Sequence, residues 1–236
     1  MSIRRFLLVL SLFAWCAPVW VAQTSTRRQT TNKPVNAADL DKGLRQLLDG
    51  SYTKAVQALG REDGFLKNVR VRILVPKSLR PVEKTVRALG RGQLADDFIT
   101  AMNRAAERAV PEALNIFADS LKQITFDDAR NIVTGQQDAA TQFFRRTSEE
   151  KLRDKFRPIV EKFTLETGVT AQYKKFITKA GPLARLGGQE ANDLDGYVTQ
   201  KALDGLFLLM ADEEKRIREN PVARTTDLLK IIFGRR

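Results

Sequence analysis

Apolar side chains return every three or four positions along most of this chain, the spacing that places them on one side of an α-helix. Leu40, Leu44, Leu47, Leu48, Tyr52, Val56 and Leu59 form the first run, which Gly60 stops. Ser78 opens a short helix that runs to Leu89 and closes at Gly90. The strongest run follows Gly92: Leu94, Phe98, Met102, Ala105, Ala109, Ala113, Phe117, Leu121 and Ile124, with Pro111 placed to kink it or restart it. Thr125 and Asp128 form a capping box that opens a helix over Asp127 to Val133, and Gly135 ends it. Asp138 to Arg146 and Ser148 to Thr167 read as two further segments, with Gly168 as the stop. Tyr173, Phe176 and Ile177 mark a short helix before the Gly181-Pro182 and Gly187-Gly188 loop. A last long helix carries Val198, Ala202, Leu203, Leu206, Phe207, Leu209, Met210 and Ile217. Asn220-Pro221 then restarts a terminal one through Leu228, Leu229, Ile231, Ile232 and Phe233.

One stretch has a different period. Val69, Val71, Ile73 and Val75 alternate with Arg70, Arg72 and Leu74 until Pro76, the pattern of a strand. A lone strand needs a partner, and nothing else in the chain reads as one. The expectation is therefore an extended arm over 69–75 lying across helices, with pairing to a second copy as the alternative. The fold class expected is all-α: a single multi-helix, bundle-like domain over 37–236 with that short arm.

Residues 1–36 stand apart. Arg4 and Arg5 precede an apolar stretch from Phe6 to Ala22, the layout of an export signal, so 1–22 is read as a signal peptide removed after Ala22. A retained anchor is the lesser alternative, because 17 residues interrupted by Pro18 are short for about 30 Å of hydrocarbon. Residues 23–36 have Val35 as their one apolar side chain and read as a disordered polar linker. These assignments put the mature chain in the periplasm or on the envelope.

Composition then narrows the chemistry. The 236 residues include no His, and the one Cys and both Trp lie within the leader. Imidazole nucleophile pairs, thiolate chemistry and His- or Cys-built metal sites are thereby excluded from the mature domain. Phosphate-loop, dinucleotide and nucleophile-elbow signatures are missing as well. No catalytic residue, metal site or cofactor is assigned.

Two blocks are more specific than any periodicity: Leu94 to Ala113 (LADDFITAMNRAAERAVPEA) and Lys201 to Gly234 (KALDGLFLLMADEEKRIRENPVARTTDLLKIIFG). Shorter segments, Leu59 to Phe65 (LGREDGF) and Asp193 to Thr199 (DLDGYVT), accompany them. Together they make the chain resemble the bacterial domain of unknown function 4197 family over most of 37–236. The resemblance implies an exported, mostly helical domain and supplies no functional residues.

Two polar groupings merit a site reading. Glu213 falls on the stripe Leu203, Leu206, Met210, Glu213 and Ile217, which aims its carboxylate at the core side; Arg218, Asn220, Arg224 and Asp227 are near enough to gather with it around the Asn220-Pro221 break. An ion-pair knot joining the last two helices is favoured over a binding pocket. Asn103 and Glu107, with Asp96 nearby, offer carboxylates for acid-base work or oxygen ligands for a divalent cation. A solvated flank paired to Arg104 or Arg108 is the favoured reading. Asp96-Asp97, Asp127-Asp128 and Glu149-Glu150 are assigned to helix starts, where the macrodipole favours acids. Asn192-Asp193-Leu194-Asp195-Gly196 is read as a helix cap rather than a calcium loop.

Charge supplies the strongest functional hint. The net charge is +12, and loss of Arg4 and Arg5 with the leader leaves +10. Lys67, Arg70, Arg72, Lys77, Arg80, Lys84, Arg87 and Arg91 are opposed within their own stretch by Glu83 alone. A patch of this kind attracts phosphates. For an exported chain the expected partner is anionic lipid or another envelope polyanion rather than nucleic acid. The expected role is a non-enzymatic binding or structural module. The alternatives are a carboxylate-dependent hydrolase or lyase and a homodimeric assembly protein.

Overall fold

Nearly all the predicted apolar runs become the buried faces of helices. The computed structural model describes residues 37–166, 168, 170, 171, 173–175 and 193–234. Helix α1 spans Ala37–Leu59, α2 Arg80–Ala88, α3 Gly92–Ala109, α4 Ala113–Leu121, α5 Phe126–Thr134, α6 Ala139–Glu166, α7 Leu194–Glu219 and α8 Asp227–Phe233. Short 3-10 turns at Lys77–Leu79, Val110–Glu112 and Pro221–Ala223 lead into or out of them. Among the described residues there is no strand, and no helix is long and apolar enough to cross a membrane. Residues 1–36, expected as leader and linker, the short helix expected at Phe176 and Ile177, and the loop expected over Gly181 to Gly188 lie outside the described residues.

Helix α7 packs most extensively on α1 and α6, and α3 lies against α6. Phe117 of α4 sits where four helices meet. Its ring stacks on Tyr52 of α1 at 5.5 Å and on Phe144 of α6 at 5.2 Å, and meets Phe207 of α7 edge-on at 6.2 Å. The small residues of α3, Ala95, Ala101, Ala105, Ala106 and Ala109, are buried and bring its backbone close to its neighbours.

Local rules account for the helix ends. Pro111 ends α3 and restarts the chain as α4. The Thr125 box forms as expected, with α5 opening at Phe126. Gly90 adopts φ +73°, and the Arg91 N–H reaches the Val86 carbonyl while the Gly90 N–H reaches Arg87, which satisfies the last carbonyls of α2.

Two expectations are corrected. The segments 138–146 and 148–167 are one 28-residue helix, α6. Thr147 and Ser148 look like a helix start in sequence, yet the Thr147 hydroxyl donates to the Phe143 carbonyl at 2.9 Å, within the helix, and so opens no new one. Phe144, Leu152, Phe156 and Val160 then keep a single buried face, which also carries the helix across Pro158. Glu149-Glu150 consequently sits mid-helix. Its first acid binds Arg145 and Gln200 instead of a helix dipole. The terminal helix, in turn, begins at Asp227 with Thr226 as its cap, six residues beyond Pro221.

The arm is extended over 72–76 after a turn at 69–71. From Arg70 to Val75 the alternation holds: Val71, Ile73 and Val75 are buried, while Arg70, Arg72 and Leu74 face outward; Val69, expected on the buried side, lies in the turn and is 92 % exposed. Val71 rests on Gly205 of α7, where an added Cβ would come within 3.2 Å of it and 2.9 Å of Phe65. No second strand is involved. The Asn103 side chain substitutes for one, accepting from the Ile73 N–H at 2.9 Å and donating to the Ile73 carbonyl at 2.8 Å.

Candidate functional site

The sequence-predicted residues separate into structural anchors and a cleft. Asn103 and Glu107 are both buried, which corrects the solvated-flank reading. One Glu107 oxygen accepts from the backbone N–H groups of Phe65 and Leu66, at 3.0 and 3.1 Å, and the other accepts from Arg104 at 2.6 Å. Arg104 continues to Asp63 at 2.8 Å. The Lys67 ammonium beside Asp63 holds its carboxyl below the ordinary range, with Arg104 adding to the effect and burial opposing it. The 60–67 turn is thus tied to α3 by charge-assisted bonds. It needs Gly64, since a Cβ there would lie 2.5 Å from the Leu59 carbonyl oxygen. Asp96 does not join these residues. It is exposed and pairs with Arg87 at 2.7 Å.

The second grouping is corrected by one residue. Glu213 is at the edge of the α7 interface, held by Arg216 and Lys54, and the buried carboxylate is Glu214. The core side of α7 carries Leu203, Leu206, Phe207, Met210, Glu214 and Ile217, so four of the five predicted stripe residues are buried and Glu213 alone gives way to its neighbour. Glu214 accepts from the Ala140 and Thr141 N–H groups, at 2.9 and 2.8 Å, and so caps the start of α6. It also pairs with Arg218 at 2.7 Å. Arg218 donates onward to the Ile132 carbonyl at the end of α5 and lies over the Phe233 ring of α8 at 4.9 Å. Each charge therefore meets the helix end of opposite polarity. Asn220 caps the turn at Val222, and Arg224 donates to the Ile217 and Arg218 carbonyls. Asp227 is exposed and pairs only with Lys230 in the structure described. The ion-pair knot exists, with Glu214 in place of Glu213 and without Asp227. Burial pushes the Glu213 carboxyl up, but hydrogen bonds from Arg216 and Lys54 outweigh this and hold it below the ordinary range.

The basic stretch behaves differently. Lys67 pairs with Asp63, Arg70 with Asp212, and Arg87 with Glu83 and Asp96. Arg72, Lys77, Arg80, Lys84 and Arg91 have no carboxylate partner among the described residues. The first three of these line one cleft of about 380 Å³. One wall is the arm and the start of α2; the other is α7, through Tyr197, Lys201, Asp204, Gly205 and Leu208. The Tyr197 hydroxyl donates to the Leu74 carbonyl at 2.9 Å and joins the two walls. Asp204, the acid of the cleft, is shared between Arg145 and Lys201. Residues 197, 201, 204 and 208 follow helical spacing, so their common face was readable. That this face meets the arm was not.

The sequence profile of the family described as Protein of unknown function (DUF4197) matches residues 34–234. The chain belongs to the DUF4197 family. No curated protein and no solved structure matches it. Among the described residues of this DUF4197 domain, no group of three acids, His or Cys is placed to hold a metal ion. Arg145 lies over the Phe207 ring and Arg146 over the Phe143 ring, so both guanidinium groups stack on aromatic rings of the domain itself.

Proposed function

We propose that this DUF4197 protein is a non-enzymatic binding module of the cell envelope, exported by its leader, which takes an anionic partner in the cleft between the arm and α7. The observation that carries this reading is the convergence of Arg72, Lys77 and Arg80 on one concave surface where none of them forms an ion pair among the described residues and the acid lining it, Asp204, is taken up by Arg145 and Lys201. Unpaired cations on the walls of a cleft concentrate field in it and draw anions. The carboxylate-enzyme reading is weaker. The oxygens of Glu107 are engaged by backbone and Arg104, and Asp96 and Glu213 are paired with cations elsewhere. The homodimer reading is weaker too, because Asn103 already occupies the Ile73 donor and acceptor that strand pairing would use.

Inorganic polyphosphate is the probe for this reading, followed by calorimetry at low and at physiological ionic strength. Binding is expected at low salt, weakening as salt rises and falling sharply in Arg72→Gln/Lys77→Gln/Arg80→Gln. Absence of binding at low salt, or binding that the triple variant leaves intact, overturns the proposal.

A further inference from the structure

Resting on the anion-binding reading above, we infer that the anion is the headgroup of an acidic phospholipid in a bilayer, and that the protein docks on the membrane surface with this cleft toward it. Three observations narrow the partner to a lipid surface.

The cleft is not only basic. Leu74 on the arm wall is 46 % exposed and Leu208 on the α7 wall is 36 % exposed, while Tyr197 stands with them. Leu74 lies between Arg72 and Lys77 in sequence, on the outward face of the arm. A soluble phosphate or a hydrophilic polyanion gives these leucines nothing to contact. A bilayer does, since the acyl boundary lies just beneath the phosphates that the cations would bind, and Tyr favours that interface.

The size of the cleft sets the mode. About 380 Å³ is near the small end of ligand pockets, enough for a headgroup and too little for the acyl chains as well. The chains therefore stay in the membrane, and the protein is a surface docker and not a lipid carrier.

The cations continue beyond the cleft. Lys84 follows Arg80 by four residues on α2 and so shares its helix face. It extends the unpaired charge over a wider surface than one phosphate occupies, as a headgroup layer requires.

The test is co-flotation of the full chain with vesicles of phosphatidylglycerol and phosphatidylcholine, expressed as a ratio to binding on phosphatidylcholine alone. The ratio cancels apolar anchoring by residues 1–22. Each cation near an anionic surface contributes about fivefold, so Arg72→Gln/Lys77→Gln/Arg80→Gln is expected to lower the ratio on the order of 100-fold. Lys42→Gln/Arg130→Gln/Lys151→Gln removes the same charge from exposed residues that do not line the cleft, and is expected to change the ratio by no more than about twofold. Leu74→Ser, whose contribution is apolar and is read from binding to the phosphatidylglycerol vesicles themselves and not from the ratio, is expected to lower that binding up to about tenfold, while leaving polyphosphate binding unchanged.

An equal fall with the control triple, or no effect of Leu74→Ser, overturns the inference. Removal of lipid from the vesicles by the protein overturns it also, in favour of a carrier. If polyphosphate binds in the cleft and phosphatidylglycerol vesicles do not, the lipid inference fails and the anion-binding module stands; if neither binds, both fail.

Discussion

Replacing Asn103 with Leu tests whether one side chain holds the arm in place. The Asn103 amide makes three bonds: from the Ile73 N–H, to the Ile73 carbonyl, and to the Ile99 carbonyl at 2.7 Å. Leu preserves most of the volume but leaves the Ile73 N–H and C=O without partners in a site closed to water. Each buried group so orphaned costs about 1–3 kcal/mol, which gives about 2–6 kcal/mol in all. The arm could escape the penalty by peeling off and hydrating that peptide. Doing so would expose Val71, Ile73 and Val75, each now buried, at about 1.5–3 kcal/mol apiece. Peeling is thus no cheaper than staying, and the loss is expected to appear as global destabilisation with a loosened arm. Equilibrium urea unfolding reads the first effect, and hydrogen exchange at the Ile73 amide reads the second. Because Arg72 and Leu74 ride on the same arm, polyphosphate affinity should fall with it. A midpoint corresponding to less than about 0.5 kcal/mol of change, or an Ile73 amide as protected as before, would refute the reasoning.

The remaining predictions concern charge and close packing. Glu214→Ala is expected to cost about 3–5 kcal/mol, since it leaves Arg218 buried and unpaired; in a cycle with Arg218→Met the two changes should couple by about 1–3 kcal/mol, and simple additivity in urea midpoints would dismiss the bridge. Gly64→Ala should destabilise more than Gly205→Ala, because the new Cβ would meet backbone carbonyls at the first position and movable side chains at the second; thermal unfolding of the two variants decides the order. Asp63, Glu149 and Glu213 all have carboxyl pKa values below their ordinary 3.8 and 4.5 in the folded state. Their contribution is present above those ordinary values and is lost as pH falls through the lowered ones. With no His in the chain, the urea midpoint should stay level between about pH 5.5 and 8 and fall only below about pH 4.5; a transition near pH 6.5 would contradict this.

Where the sequence was legible, the interaction was local. The Thr125 to Asp128 box, the restart at Pro111, the Asp193 cap on Gly196 and the stop at Gly90 each depend on residues within a few positions of one another. Apolar spacing likewise placed the buried face of α1 and of α3. Misreadings arose where two registers or two partners were equally open. Glu213 and Glu214 follow Met210 by three and four residues, both allowed on a helix face, and the choice was made by where α6 begins: its Ala140 and Thr141 N–H groups point at Glu214. Thr147-Ser148 had the chemistry of a cap, but packing along Phe144, Leu152 and Phe156 made continuing the helix the better solution.

The all-helical class, most of the helix ends, the alternation of the arm from Arg70 to Val75 and the exclusion of imidazole chemistry were determined by the sequence alone, because each follows from residue identity and short-range geometry. The tertiary structure decided what the polar residues do. Asn103 and Glu107 look like a solvated flank until the 60–76 segment folds over them and consumes their hydrogen bonds. Eight basic residues look like one patch until Asp63, Asp212, Asp96 and Glu83 neutralise three of them and leave Arg72, Lys77 and Arg80 facing α7. The partners responsible lie as far as 142 positions away along the chain. Periodicity carries no information about such pairings, since it records which face a side chain occupies and not what that face meets.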